Sequence, residues 1–308
     1  MYHGPIIDAH LHYWQPDINP HPWLAKEAQI PFRYGDYSAL KKPYLPDDYQ
    51  ANGGRKHRVV ASVYVDAEWD PADPLGETRY IHQIAGRYRH PNAVVAQAWL
   101  DHGSCEEVLS RQAQWSLVRS VRHKPGGAAT LQAALNGERT LMSNPRWRAG
   151  FALLEKYGLH FDLQTPWWNF AEAAQLAADF PSTLMIINHT GLPADRSPEG
   201  LSAWHRAMEL LARQPNVMIK ISGLGEREIR WHAERQRWIV QETLAIFGVA
   251  RCMFASNFPV DSLCGTLDTV WSGFKTLTQN LTPQQQQALF YDNAKRVYRI
   301  AQPQELDE

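Results

Sequence analysis

Short runs of β-branched and apolar residues recur along the chain. Between most of them lies a stretch whose apolar positions fall three and four apart. The runs cover residues 5–10, 59–65, 93–100, 117–122, 159–163, 183–188, 217–221 and 252–255. Each has the length of a buried strand. Helical stripes fill the intervals: Ile81, Ile84, Ala85 and Tyr88 within 78–88, Trp147, Phe151, Leu154 and Tyr157 within 145–157, an alanine-rich segment at 170–180, Trp204, Met208 and Leu211 within 202–213, and a further stripe at 235–247. Three of these end on stop signals, Tyr157-Gly158, Phe180-Pro181 and Gln214-Pro215.

Eight strands with room for a helix after almost every one predict a parallel sheet covered outside by helices. Eight such units close best as one α/β domain over residues 1–308, a (β/α)8 barrel. A doubly wound open sheet would carry a glycine-rich phosphate loop after its first strand. Here that strand runs into HLHYWQP, which has no glycine. The longest stretch outside the βα rhythm is 13–57, with six prolines and the aromatics Trp14, Trp23, Phe32, Tyr34, Tyr37, Tyr44 and Tyr49. It follows strand 1, on the face where barrels build their sites, and reads equally as a lid or as a surface loop pinned by its own aromatics. The polar tail after Ile300 reads as frayed.

Composition narrows the classes. Lys plus Arg is 31 and Asp plus Glu is 32, a net charge of −1, which gives no electrostatic reason to expect nucleic acid or an anionic membrane as partner. No apolar run is long enough to span a bilayer. The N-terminus lacks the regions of a signal peptide, and the three cysteines, Cys105, Cys252 and Cys264, form no CxxC pair. A cytoplasmic protein with a small-molecule partner is expected. Self-association is left open.

In a barrel, chemistry collects at the C-terminal ends of the strands. Strand 1 ends in IIDAHLHYW; residues two apart share a face, so Asp8, His10 and His12 are expected on one side. Strand 2 ends at Asp66 and Glu68, strand 3 near Trp99 and Asp101, strand 4 at Arg122 and His123, and strand 5 at Asp162 and Gln164. Strand 6 ends at His189, strand 7 at Lys220, and strand 8 at Asn257 and Asp261. Singly, each has a structural reading, a turn cap for Asp8 or a backbone hydrogen bond for His189. Lys220, between Ile219 and Ile221, is harder to place, because lysine is almost never buried unpaired. Polar groups at all eight ends of apolar strands favour a site.

The ordered set IIDAHLHYW, VRSVRHKPG, INHTGLP, VMIKISGLG and MFASNFPVD resembles the amidohydrolase-2 family from Pro5 to about Ala294. Within it, the set is most similar to the branch described as predicted metal-dependent TIM-barrel hydrolases, which includes lactonases of sugar acids and of 2-pyrone-4,6-dicarboxylate. The resemblance implies that His10, His12 and His189 match positions that hold a divalent metal, zinc or manganese, in metal-using relatives. It also implies that Lys220 and Arg122 stand at the family's lysine and arginine. The departure is strand 8, where the family commonly has GSDxP, its aspartate acting as general base, and this chain has Ser256-Asn257-Phe258-Pro259. An asparagine amide is no base. Asp261, His189, Asp66 or Glu68 then takes the role, or the hydrolytic step is lost. Metal-dependent and metal-free catalysis both remain open, since Lys220 and Arg122 could hold an oxyanion or a substrate carboxylate.

The expected activity is a lactone hydrolase, with His123, Gln164, Trp14, Asp66 and Glu68 as substrate-binding candidates. A decarboxylase on the same scaffold and a ligand-binding barrel without hydrolytic activity are the competing readings. Trp147 and Trp204 are expected to pack helices on the barrel.

Overall fold

A computed structural model describes residues 1–301; the expectation for the tail after Ile300 falls almost wholly outside them. Eight parallel strands run in sequence order: β1 Ile6–Leu11, β2 Val59–Val65, β3 Ala93–Gln97, β4 Val118–Arg122, β5 His160–Leu163, β6 Met185–Ile187, β7 Val217–Ile221 and β8 Cys252–Phe254. The two ends of the sheet meet where Leu11 bridges Phe258, His12 N–H donates to Phe258 O at 2.8 Å and Asn257 N–H donates to His10 O at 2.8 Å. The expected (β/α)8 barrel is the fold, and each expected strand is present within a few residues. The helices Gly76–Tyr88, Pro145–Lys156, Phe170–Asp179, Pro198–Ala212 and Ala233–Phe247 occupy the expected intervals. Cys105–Ala113 and Leu267–Leu277 add two that the stripes did not announce.

Two apolar layers follow from strand alternation. Ile7, Ala9, Ala61, Val63, Val65, Val95, Ile186 and Met218 fill the barrel interior, closed at its N-terminal end by Val297, Tyr298 and Ile300. Tyr64, Val121, Phe161, Ile187, Ile219 and Phe254 face the helices, where Trp147 and Trp204 are fully buried, as expected of packing residues.

β1 departs from simple alternation. Asp8 pairs with Ser62 and Leu11 with Tyr64, three residues along one strand against two along the other. That inserted residue is a bulge, and it corrects the expectation that Asp8, His10 and His12 share a face. Asp8 falls on the helix side, where its carboxylate accepts from Tyr49 OH at 2.7 Å and from Ser256 N–H and O–H at 2.9 and 2.5 Å. The bulge turns His10 back inward, and His12 follows.

The 13–57 loop carries the short 3-10 turns Pro22–Leu24 and Ser38–Leu40 and the helical turn Pro46–Tyr49. Trp14, Tyr37 and Tyr49 anchor it, fully or nearly fully buried. The aromatics pin the loop, and Arg33 and Tyr34 reach Asp261 after β8.

Candidate active site

Three imidazoles stand together at the C-terminal end of the barrel. The His10 ring centroid lies 5.1 Å from that of His12 and 4.5 Å from that of His189. His12 Nδ1 is 2.8 Å from Val65 O. A carbonyl only accepts, so Nδ1 carries the proton and the neutral ring keeps a lone pair on Nε2. His189 Nδ1 pairs with Ser222 Oγ at 2.8 Å. Both His10 ring nitrogens are buried without a partner. Burial, reinforced by neighbouring cations, pulls His12 down to about 3 and holds His10 and His189 well below the usual histidine range, so all three are neutral at pH 7.

Lys220 and Asp162 form the ionic centre, both fully buried, with Nζ 2.7 Å from Oδ1. Ser120 Oγ, Asn188 Nδ2 and Tyr298 OH donate to the same carboxylate at 2.8, 2.9 and 3.1 Å. The ammonium sits 4.9 Å from the Tyr298 ring centroid and makes no well-aligned hydrogen bond, so N–H donors remain unmet. Burial lowers its pKa, against the opposing pull of Asp162. A buried donor or acceptor without a partner costs about 1–3 kcal/mol.

Arg122 is more committed than expected. Its Nε donates to Asp66 Oδ1 at 2.7 Å, its Nη2 to Asp66 O, and its Nη1 to Gln164 Oε1 at 2.8 Å and Asn188 Oδ1 at 3.4 Å. It braces the ends of β2, β4, β5 and β6 and is a poor oxyanion holder. Asp66 is correspondingly occupied by Arg122, and Glu68 is held by Lys124 at 2.8 Å at the rim. Burial alone would raise the Glu68 pKa, but Lys124 outweighs it and keeps the carboxyl below its ordinary value. His123 Nδ1 accepts from both Leu100 N–H at 3.1 Å and Trp147 Nε1–H at 3.0 Å, which places the proton of the neutral ring on Nε2. Trp14 is corrected: it is fully buried, stacks 5.9 Å behind His12, and donates its indole N–H to Leu40 O and Lys42 O. It fastens the loop and offers no face to substrate.

At the end of β8 the chain brings Asp261 against Asn257. Asp261 N–H donates to Asn257 O at 3.0 Å, one helical turn that sets the two side chains together, and Asn257 Nδ2 donates to Asp261 Oδ1 at 2.6 Å. Tyr34 OH donates to the same oxygen at 3.0 Å, and Arg33 Nη2 lies 3.5 Å from it. Burial pushes the Asp261 carboxyl up to about 6, against the lowering effect of Arg33, Asn257 and Tyr34. His189, Thr190, Leu192, Glu68 and Asn257 all adopt positive φ between 50 and 59°. Such left-handed conformations cost non-glycine residues of order 1–3 kcal/mol and collect at working sites.

Arg33, Asn188, Ser222 and Tyr298 were not singled out by the sequence, and Tyr34 was read only as one of the loop's aromatics. Neither was Glu77, buried beneath Asp66, whose Oε1 accepts from Tyr64 OH and Ala67 N–H at 2.6 Å each. Burial and the Asp66 charge raise its pKa well above the usual carboxyl range. A folded-state pKa above the unfolded value means that the native state holds the extra proton, so stability falls as pH rises above about 4.5. Glu77→Gln keeps the acceptor oxygen and removes the titration. Its melting temperature is expected to vary less with pH between 5 and 8 than that of the parent, which differential scanning calorimetry checks.

Among the described residues, no three His, Cys, Asp or Glu side chains are arranged to hold one metal ion, and strand 8 offers a neutral amide at Asn257. The imidazoles have free lone pairs, but this arrangement does not fit the divalent ion that the resemblance implies. No helix among the described residues is long and apolar enough to cross a membrane.

A family model described as amidohydrolase matches residues 7–300. The chain belongs to the amidohydrolase family and is a hydrolase. It is 37% identical to the uncharacterized protein y4mH of Sinorhizobium fredii, over 96% of this chain and 98% of that one. It is 26% identical to an L-fucono-1,5-lactonase of Burkholderia multivorans, over 96% and 97%. Crystal structures of a Burkholderia multivorans amidohydrolase, with bound HEPES and with bound zinc, match at TM-scores of 0.80 and 0.79. They are 24% identical to it and cover 97% of this chain and all of that one.

Proposed function

We propose that this hydrolase opens the lactone ring of a sugar acid or a related carboxylated small molecule by water attack. The observation that carries the reading is Asp261, a buried carboxylate delivered by Asn257 to the mouth of the barrel, with a pKa of about 6. A base with a pKa near the working pH combines ionisation with strength. Asp261 takes a proton from the attacking water as oxygen bonds to the lactone carbonyl. The Lys220 ammonium, with unmet donors beside neutral His10, stabilises the oxyanion. Collapse breaks the ring C–O bond, and the proton returns to the leaving alkoxide. The 26% identity to an L-fucono-1,5-lactonase along nearly the whole chain supports this choice of substrate class.

The test is a panel of 1,4- and 1,5-lactones of sugar acids alongside aromatic carboxylic acids, scored for acid release and for CO₂. Acid release from at least one lactone is expected. CO₂ from a carboxylic acid, with every lactone untouched, overturns the reading in favour of decarboxylation.

A further inference from the structure

We propose that Arg33 and Tyr34, both on the loop after β1, are positioning residues for Asp261. They fix its Oδ1 from outside the barrel and so complete the base that strand 8 alone does not supply. The inference rests on the reading of Asp261 as the base.

The geometry begins with Asn257. Its amide gives Asp261 one neutral donor, and a carboxylate that is 1% exposed needs more than that to stay ionised. The loop provides the rest: the Tyr34 hydroxyl at 3.0 Å and the Arg33 guanidinium at 3.5 Å, both on Oδ1. The Arg33 guanidinium carbon lies 4.5 Å from the centroid of the Tyr34 ring, and Nη1 donates to Gly223 O at 3.3 Å.

The β7 loop is shaped to admit them. Gly223 has φ +59°, and a Cβ there would stand 2.7 Å from His189 Nδ1 and 2.9 Å from Arg33 Nη2. A Cβ on Gly225 would stand 3.0 Å from Tyr34 OH. These two glycines leave the slot through which both loop residues enter. Arg33 thereby lies beside His189 as well as Asp261. The Arg33 side chain remains 29% exposed, so it can be replaced without opening the core. The remaining titratable groups that act on Asp261 are Asp8, from β1, and the neighbouring Cys264 thiol. Arg33 is the cation acting on it.

The experiment titrates Asp261 directly, by carboxyl ¹³C NMR of aspartate-labelled protein, with the resonance assigned by its loss in Asp261→Asn. The pH profile of kcat/KM is measured in parallel. Arg33→Ala is expected to move the Asp261 midpoint upward by about one pH unit, with the acid limb of the rate profile moving alongside. Arg33→Lys returns most of the shift, and Tyr34→Phe gives a smaller upward one. An unchanged midpoint in Arg33→Ala overturns the inference, as does a raised KM with an unmoved acid limb, which makes Arg33 a substrate-binding group instead. Retention of the acid limb in Asp261→Asn is a different failure. It removes Asp261 as the base, while the NMR midpoint still decides what Arg33 does to the carboxylate.

Discussion

Asp261→Asn lowers kcat on the preferred lactone by about 10²–10⁴-fold, the usual contribution of a general base. The amide keeps an oxygen to accept from Asn257 and Tyr34, so the local turn survives and the loss is chemical. In the parent, kcat/KM climbs as pH rises through about 6, where the carboxyl ionises. In the variant that limb is gone. Stability moves the other way. The folded-state pKa of about 6 lies above the ordinary 3.8, so the native state binds the extra proton, and folding loses free energy as pH rises between those values and stays lower above them. The amide has no such penalty. The variant is expected to melt higher than the parent at pH 8 and to lose that advantage at pH 4. Steady-state rates from pH 5 to 8 and calorimetry from pH 4 to 8 measure both halves. A variant with the parent's rate and acid limb would show that Asp261 is not the base.

Lys220→Met is expected to damage both fold and activity. It leaves the Asp162 carboxylate fully buried with hydroxyl and amide donors but without its paired cation. Breaking one side of a buried pair typically costs about 3–5 kcal/mol, because the stranded charge must be neutralised or solvated. The double change Lys220→Met with Asp162→Asn removes both charges and recovers much of that stability, since the residues are in contact and their effects do not add. It does not recover turnover, because the ammonium beside His10 is still missing. Denaturant unfolding of the parent, the single and the double variants, with lactonase rates on each, separates the two roles. Restored turnover in the double variant would show that Lys220 serves only as a counter-ion.

The barrel was legible because it depends on repetition. Eight apolar runs and the stripes between them carry their own periods, and burial on both faces leaves the strands few polar positions. The strand-end residues were legible for the same reason, since Lys220 and Arg122 interrupt apolar strands that have no other use for charge. What alternation could not supply was the phase of β1. One inserted residue sends Asp8 to the helices and His10 to the interior, and bulges depend on the pairing partner as much as on the strand. Arg33 and Tyr34 were hidden in a proline-rich loop, where their neighbours are set by packing against β7 and β8. Asn257 pointed to a missing base but left Asp261, His189, Asp66 and Glu68 all open for the role, because the turn that sets Asp261 against Asn257 has no apolar period to announce it. Trp14 misled, since an aromatic beside two histidines serves equally well behind a site as in front of it.

Tyr298 enters the barrel from the end opposite the mouth, and its hydroxyl reaches both oxygens of Asp162 at 3.1 Å. It therefore ties the ionic centre to the segment after β8, with the phenol ring lying 4.9 Å from the ammonium. A change at Tyr298 would be felt at the Asp162–Lys220 pair, so the floor of the barrel tunes the charge that stands towards its mouth.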